Sequence, residues 1–225
     1  MPDKIKWKGG AMLAPIPAVM VTCGSLEKPN IITVAWTGIL CTNPPKTYIS
    51  LRPERYSYEL IKKTGKFVIN LTTAALVRAC DFCGVRSGRD TDKFAACEKL
   101  CPGGLHAVPA LTLEDTPMLA ESPVSIECRV TDTLKFGEGT APDGTKRPAT
   151  HEMFIADIVS VNIDPSLIDQ KGALRLEKAG LTAYAHGDYF ALGKKIGDFG
   201  FSVRKKRPNS QRQPSKNNKN RNRAQ

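Results

Sequence analysis

Thr33–Ser57, TVAWTGILCTNPPKTYISLRPERYS, holds two strand-like runs, a proline-broken loop between them and a helix start behind them. In the second run, Lys46–Arg52, residues Ile49 and Leu51 fall on one side while Tyr48, Ser50 and Arg52 fall on the other. That period of two is the mark of a strand with one buried face. In the first run Thr33, Ala35 and Thr37 share a face, and Gly38 permits close backbone approach. Alternation sets Trp36 opposite them, so its indole is expected to pack into the sheet. Behind the second run stand Arg55, Tyr56 and Ser57, at an expected helix start. Two arginines, the hydroxyls of Ser50 and Ser57 and a helix N-terminus within eight residues supply charge-assisted donors and oriented backbone N–H groups, which is what a phosphate dianion requires. A solvated strand edge with ordinary surface arginines would show the same spacing.

Upstream, IPAVMVT (16–22) and NIITVAWT (30–37) read as paired strands, with CGSLEKP between them as the hairpin loop. Downstream, a helix is expected from Arg55 to Thr64 with Gly65 as its stop. FVINL (67–71) reads as a buried strand and Thr73–Val85 as a second helix. Asp90 or Thr91 is expected to cap a short helix running through Phe94. Residues 117–135 suit one long strand or two, 137–148 a turn-rich loop, and 150–161 a further strand. Strands outnumber helices and mostly arrive without the helix a parallel crossover needs. The expected class is therefore mainly β, a largely antiparallel β-barrel with peripheral helices. The absence of G-x-G-x-x-G after a strand, of G-x-x-x-x-G-K-[ST] and of G-x-S-x-G argues against Rossmann, P-loop and α/β-hydrolase chemistry.

The 225 residues are enough for one well-buried core. Nine of the eleven net positive charges lie after Ser202, in a stretch without any acidic residue, which leaves two for residues 1–201. The expected division is a folded domain over 1–203 and a basic, disordered tail over 204–225. Such a tail could be an electrostatic arm for nucleic acid or a solubilising extension. No run approaches the roughly 18 apolar residues of a membrane span, and the N-terminus lacks the pattern of a secretory signal, so a cytoplasmic protein is expected. The seven cysteines are an odd number for a disulfide framework. Cys80, Cys83, Cys97 and Cys101 could be metal ligands, a redox dithiol or plain buried thiols.

Taken in order, N-x-x-T-V-A-W-T-G, S-L-R-P-x-R-Y-S, S-G-R-D-T-D-K-F and H-x-M-F-I-A-D-I resemble the flavin reductase-like family, most closely its flavoredoxin branch. The resemblance runs from about Pro15 to Lys205 and includes YAHGDYFALG from Tyr184 and GDFGFS from Gly197. It implies a homodimeric FMN-binding split β-barrel. The flavin ring would lie against Thr33, Val34, Ala35, Trp36 and Thr37 and the Cys41-Thr42 loop. Ser50, Arg52, Arg55 and Ser57, with Tyr56 among them, would form the phosphate end. Lys93 would reach the flavin or its phosphate, and His151 would stand on the nicotinamide side. Tyr184 and His186 could cover the flavin or serve the structure. The implied activity moves electrons from NADH, NADPH or a redox-protein partner through FMN to a flavin, iron or protein acceptor. The alternative from another class is a nucleic-acid-binding protein that uses the basic tail, with a cysteine-bound metal.

Overall fold

The computed structural model describes residues 3–203. The chain divides into a unit spanning Met1–Gly193 and a second one from Lys194 onward. In the second unit the described residues hold a Lys195–Asp198 ion pair and a 3-10 turn at Phe201–Val203. The expected disordered tail, 204–225, lies outside the described residues.

Thirteen strands and three α-helices follow one another in the described chain. The first four strands are β1 (Val19–Gly24), β2 (Pro29–Val34), β3 (Thr37–Thr42) and β4 (Pro45–Leu51). Helix α1 (Tyr56–Thr64) leads to β5 (Lys66–Leu71), and α2 (Val77–Val85) and α3 (Lys93–Ala96) follow. Short strands β6 (Ala107–Pro109) and β7 (Pro117–Leu119) pair with each other before the long β8 (Val124–Phe136). A small hairpin of β9 (Gly139–Thr140) and β10 (Lys146–Arg147) precedes the long β11 (His151–Ile163), and β12 (Thr182–Ala185) pairs with β13 (Asp188–Ala191).

Seven strands form one antiparallel sheet in the order β2-β1-β5-β8-β11-β4-β3. Its two edge strands, β2 and β3, are neighbours in sequence, joined by Ala35 and Trp36 alone. Held flat, such a sheet would separate its edges by roughly 29 Å at ~4.8 Å per strand, whereas a two-residue link reaches only about 10 Å. The sheet must therefore curl until its edges meet. At the seam Ser50 N donates to Trp36 O at 2.9 Å. This mainly β, split-barrel architecture is the expected class.

The alternation of β4 holds: Ile49 and Leu51 are buried with Val19, Val21, Phe67 and Phe154, while Arg52 is exposed. Gly65 ends α1 in the left-handed region at φ 66°, where its N–H reaches Ile61 O, as a helix stop should. A second cluster joins Met20, Ile31, Leu76 and Leu119 to Cys80, Cys83, Cys97 and Cys101 beneath α2.

Three local expectations are corrected. The run 30–37 is not one strand: β2 ends at Val34, and residues 37–42 form β3, which hairpins onto β4. The link turns the chain from one sheet edge to the other, and this puts Trp36 at the seam, 51% exposed, rather than in the core. Asp92, not Asp90 or Thr91, caps α3, its Oδ1 accepting from Phe94 N at 3.0 Å and Ala95 N at 3.2 Å.

Candidate functional site

The seam opens into a cavity of about 420 Å³. Its floor is the end of β2 and the link, Thr33 to Trp36. Ser50 comes from β4 and Arg52 from the residue just after it, Arg55 from the start of α1, Gly84 from α2 and His151 from the first position of β11. Tyr184 and Tyr189, from the β12–β13 hairpin, stand opposite, packed edge to face at 5.2 Å. The hairpin is held there by paired hydrogen bonds between Ile16 and Tyr184. Its turn puts His186 at φ 50° and Gly187 at φ 104°, the two positive values of a tight two-residue hairpin.

Helix α2 approaches β2 so closely that a Cβ at Gly84 would sit 3.2 Å from Thr33 Cβ. Thr33 Oγ1 donates to Cys80 O, and Arg55 Nη1 donates to Gly84 O at 3.1 Å. These bonds lock α2 and the start of α1 to the seam.

Arg55 and Ile32 are also walls of a second cavity, about 210 Å³, lined further by Tyr56, Ser57, Arg86, Ser87 and Lys93. Here the loop after α2 folds over the N-terminus of α1. Arg89 fastens it, donating to Glu54 O at 2.7 Å and Glu59 Oε1 at 2.6 Å, with its guanidinium 5.5 Å from the Tyr56 ring centre. Gly88 leaves no room for a side chain, since a Cβ would lie 2.9 Å from Tyr56 Cδ1.

Lys93 is only 4% exposed, and its Nζ donates to Ile31 O at 2.7 Å and Cys83 O at 2.9 Å. Among the described residues no carboxylate lies within ion-pair distance of it. An ammonium has three N–H groups, so one remains beyond the two carbonyls. Burial holds its pKa below the ordinary lysine value, with the neighbouring Cys83 and Cys23 thiols pulling the other way. Ser57, 2% exposed, accepts from Asn30 Nδ2 at 2.7 Å and stands beside the Cys23 thiol.

Of the residues singled out from the sequence, Thr33, Val34, Ala35, Trp36, Ser50, Arg52, Arg55 and His151 meet at the seam cavity. Arg55, Tyr56, Ser57 and Lys93 meet at the cationic one. Thr37 instead lines a third, more apolar cavity of about 290 Å³ with Tyr48, Tyr184 and His186. Cys41 and Thr42 belong to the exposed tip of the β3–β4 hairpin and line none of these cavities, with Cys41 Sγ donating to Pro44 O at 3.0 Å. The loop expected there is corrected in its conformation: 41–42 is paired strand. Arg86 and Ser87 were not singled out, although the S-G-R-D-T-D-K-F motif that follows Arg86 was.

The four clustered cysteines are free and buried. Cys83 and Cys97 lie 4.0 Å apart, and the Cys83 thiol is pushed up by its bond to Cys97 and by burial. No three His, Cys, Asp or Glu side chains come together as metal ligands among the described residues.

A curled antiparallel sheet with a cavity at its seam, beside a cationic cradle, is a split-barrel build. The chain belongs to the flavin reductase-like family: the model of the flavin reductase like domain matches residues 12–193. The structure is similar to the flavoredoxin of Desulfovibrio vulgaris (Miyazaki F), with a TM-score of 0.76 and 27% identity over 90% of this chain and 100% of that one. A flavoredoxin from Methanosarcina acetivorans superposes with a TM-score of 0.72 at 23% identity, covering 88% and 95%. An FMN-binding protein from Thermus thermophilus shares the fold at 19% identity and a TM-score of 0.66, covering 87% and 99%. No helix among the described residues is long and apolar enough to cross a membrane.

Proposed function

We propose that this chain binds FMN in the two adjoining cavities that share Ile32 and Arg55, and acts as an FMN-dependent oxidoreductase. The observation that carries the reading is Lys93: a buried ammonium with no carboxylate in ion-pair reach, facing a cavity lined also by Arg55, Arg86, Ser57 and Ser87, and by Glu54, whose carboxylate stands 3.7 Å from Arg52. Isolated buried charge is costly, and an anion with several oxygens is what relieves it. The cradle adds the free N–H groups at the start of α1, whose dipole also favours negative charge.

The seam cavity suits the rest of such a ligand. Its floor is the Thr33–Trp36 stretch and Tyr184 and Tyr189 stand opposite, so a flat ring has a place between them. When bound, FMN supplies the hydride and electron chemistry. The chain's part is to anchor the phosphate with Arg55, Arg86 and Lys93, to orient the ring along Thr33–Trp36, and to limit water with Tyr184 and Tyr189. His151, half-buried at the start of β11, stands at the cavity wall where an incoming donor would meet it. The donor in this reading is NADH, NADPH or a redox protein, and the acceptor a flavin, an iron complex or a protein. Two copies form the working unit, and the exposed Ile39 and Leu40 of edge strand β3 supply an apolar face for the pairing.

The test compares FMN with riboflavin, which lacks the phosphate. Arg86→Ala, a residue that lines the cradle and not the seam, is expected to weaken FMN binding by about 10- to 100-fold, the worth of one charge-assisted bond, and to leave riboflavin binding nearly unchanged. Protein that binds neither flavin, followed by flavin fluorescence, would end the proposal.

A further inference from the structure

The sulfurs of Cys83 and Cys97 lie 4.0 Å apart, and both side chains are fully buried. Cys83 stands near the end of α2, and Cys97 opens the 3-10 turn, Cys97–Lys99, that follows α3. Between them the chain runs through Arg86, Ser87, Gly88 and Lys93. These are the cradle residues that come neither from β2 nor from the start of α1.

We propose that Cys83 and Cys97 are a reversible dithiol that hydrogen peroxide converts to a disulfide, closing residues 83–97 into a ring that fastens this wall of the cradle. The inference stands on the placement of the sulfurs and holds whichever anion the cradle takes.

Spacing in the sequence favours Cys80 with Cys83, a C-x-x-C pair, but the fold gives the outer two thiols other partners. Cys80 Sγ accepts from Thr72 Oγ1 at 3.6 Å, and Cys101 Sγ donates to Gly104 O at 3.1 Å. Cys83 and Cys97 are left facing each other. A disulfide sets its sulfurs about 2.05 Å apart, so the pair must close by roughly 2 Å, a distance within the swing of two side-chain torsions.

Cys97 is the sulfur that reacts first. The hydrogen bond from Cys83 holds the Cys97 thiol below its ordinary range against the effect of burial, and the Lys93 ammonium adds to the lowering. The thiolate is the form that attacks. The pair also lies one layer beneath open space. Gly84, next in the chain to Cys83, lines the seam cavity, and Lys93, whose Nζ donates to Cys83 O at 2.9 Å, lines the cradle. A small uncharged oxidant needs only a local opening of that layer.

The chemistry balances with one peroxide. The Cys97 sulfur attacks a peroxide oxygen; the S–O bond forms as the O–O bond breaks, and the departing hydroxide takes the proton that Cys97 gave up. The Cys83 sulfur then attacks the Cys97 sulfenic acid. The S–S bond forms, the S–O bond breaks, and a second water leaves with the Cys83 proton. Two thiols lose two electrons, and one peroxide becomes two waters.

The test treats the full chain with hydrogen peroxide, blocks the remaining thiols and maps the bonds by mass spectrometry after trypsin. Cleavage after Arg78, Arg86, Lys93 and Lys99 leaves Cys80 and Cys83 in 79–86, Cys97 in 94–99 and Cys101 in a third peptide. Peptides 79–86 and 94–99 are expected to be joined in wild type and in Cys80→Ser, separate in Cys83→Ser, and released by dithiothreitol. The oxidised wild type should melt roughly 5 °C or more above the reduced form, a gap that Cys83→Ser should abolish. A bond through Cys80 or Cys101 would overturn the pairing, as would no bond after a treatment that oxidises the exposed Cys41. A linked form that melts at or below the reduced one would overturn the fastening of the loop.

Discussion

The two ends of the candidate site are built on opposite plans. At the cradle, Lys93, Ser57 and Asn30 are buried and each is tied to a partner from another element. At the seam, the floor is the Thr33–Trp36 stretch, Trp36 is half exposed, and the facing wall is a two-stranded hairpin tied by hydrogen bonds to Ile16 and Thr72. A rigid, charged end fixes where a ligand is held. An open, aromatic end leaves room for a second reactant to approach. Affinity and discrimination for a phosphorylated ligand should therefore reside in the cradle, and the seam should contribute to all flavins alike.

The largest effect is expected from Lys93→Met. The substitution removes the buried cation and also strips a donor from Ile31 O and Cys83 O, each left unpaired at a cost of about 1–3 kcal/mol. FMN affinity should fall by roughly 100-fold, and the ratio of FMN to riboflavin affinity should fall towards one. Riboflavin binding is the control that the seam still forms. If the FMN-to-riboflavin ratio survives the substitution, the cradle is not where phosphate is read.

A smaller effect follows from titration of the same lysine. Its folded pKa lies below the 10.5 of an unhindered lysine, first because of burial. Between the two values the unfolded chain holds more protons than the folded one, so stability rises with pH across that window. The penalty is fully present below the folded pKa and is relieved as pH climbs through it. A bound phosphate favours the ammonium and should flatten the rise. Melting curves of ligand-free wild type and Lys93→Met, taken from neutral pH to about 10, should diverge in that sense; parallel curves would deny Lys93 the buried, strained charge ascribed to it.

Much of this arrangement was legible because it is local. The alternation of Ile49, Ser50, Leu51 and Arg52 sets strand β4 and its outward face, and Gly65 announces the end of α1, both within a few residues. Strand β3 was not legible: Gly38 to Thr42 is mostly exposed and earns its strand geometry only by pairing with β4. The burial of Lys93 was equally hidden. A lysine next to Asp92 carries no local sign that its ammonium will meet Ile31, sixty-two positions away. Arg86 and Ser87 reach the cradle because Arg89 clamps their loop to α1 at Glu54 and Glu59, a tertiary contact spanning some thirty residues. Trp36 was misread for a related reason: period-two alternation assumes the strand continues, and here it ends at Val34.

Trp36→Ala should produce the smallest change and the clearest contrast with the cradle. The indole is half exposed and outside the apolar clusters, so its removal should shift stability by no more than about 0.5 kcal/mol. If it flanks the ring, the loss is one partial aromatic contact, worth about 1 kcal/mol, or roughly fivefold in affinity. That loss should be the same for FMN and riboflavin, since both carry the ring and Trp36 lines no part of the cradle. A loss confined to the phosphorylated ligand would mean that the two ends are not independent. It would place the discrimination in a movement of the Ala35–Trp36 link rather than in the charges of the cradle.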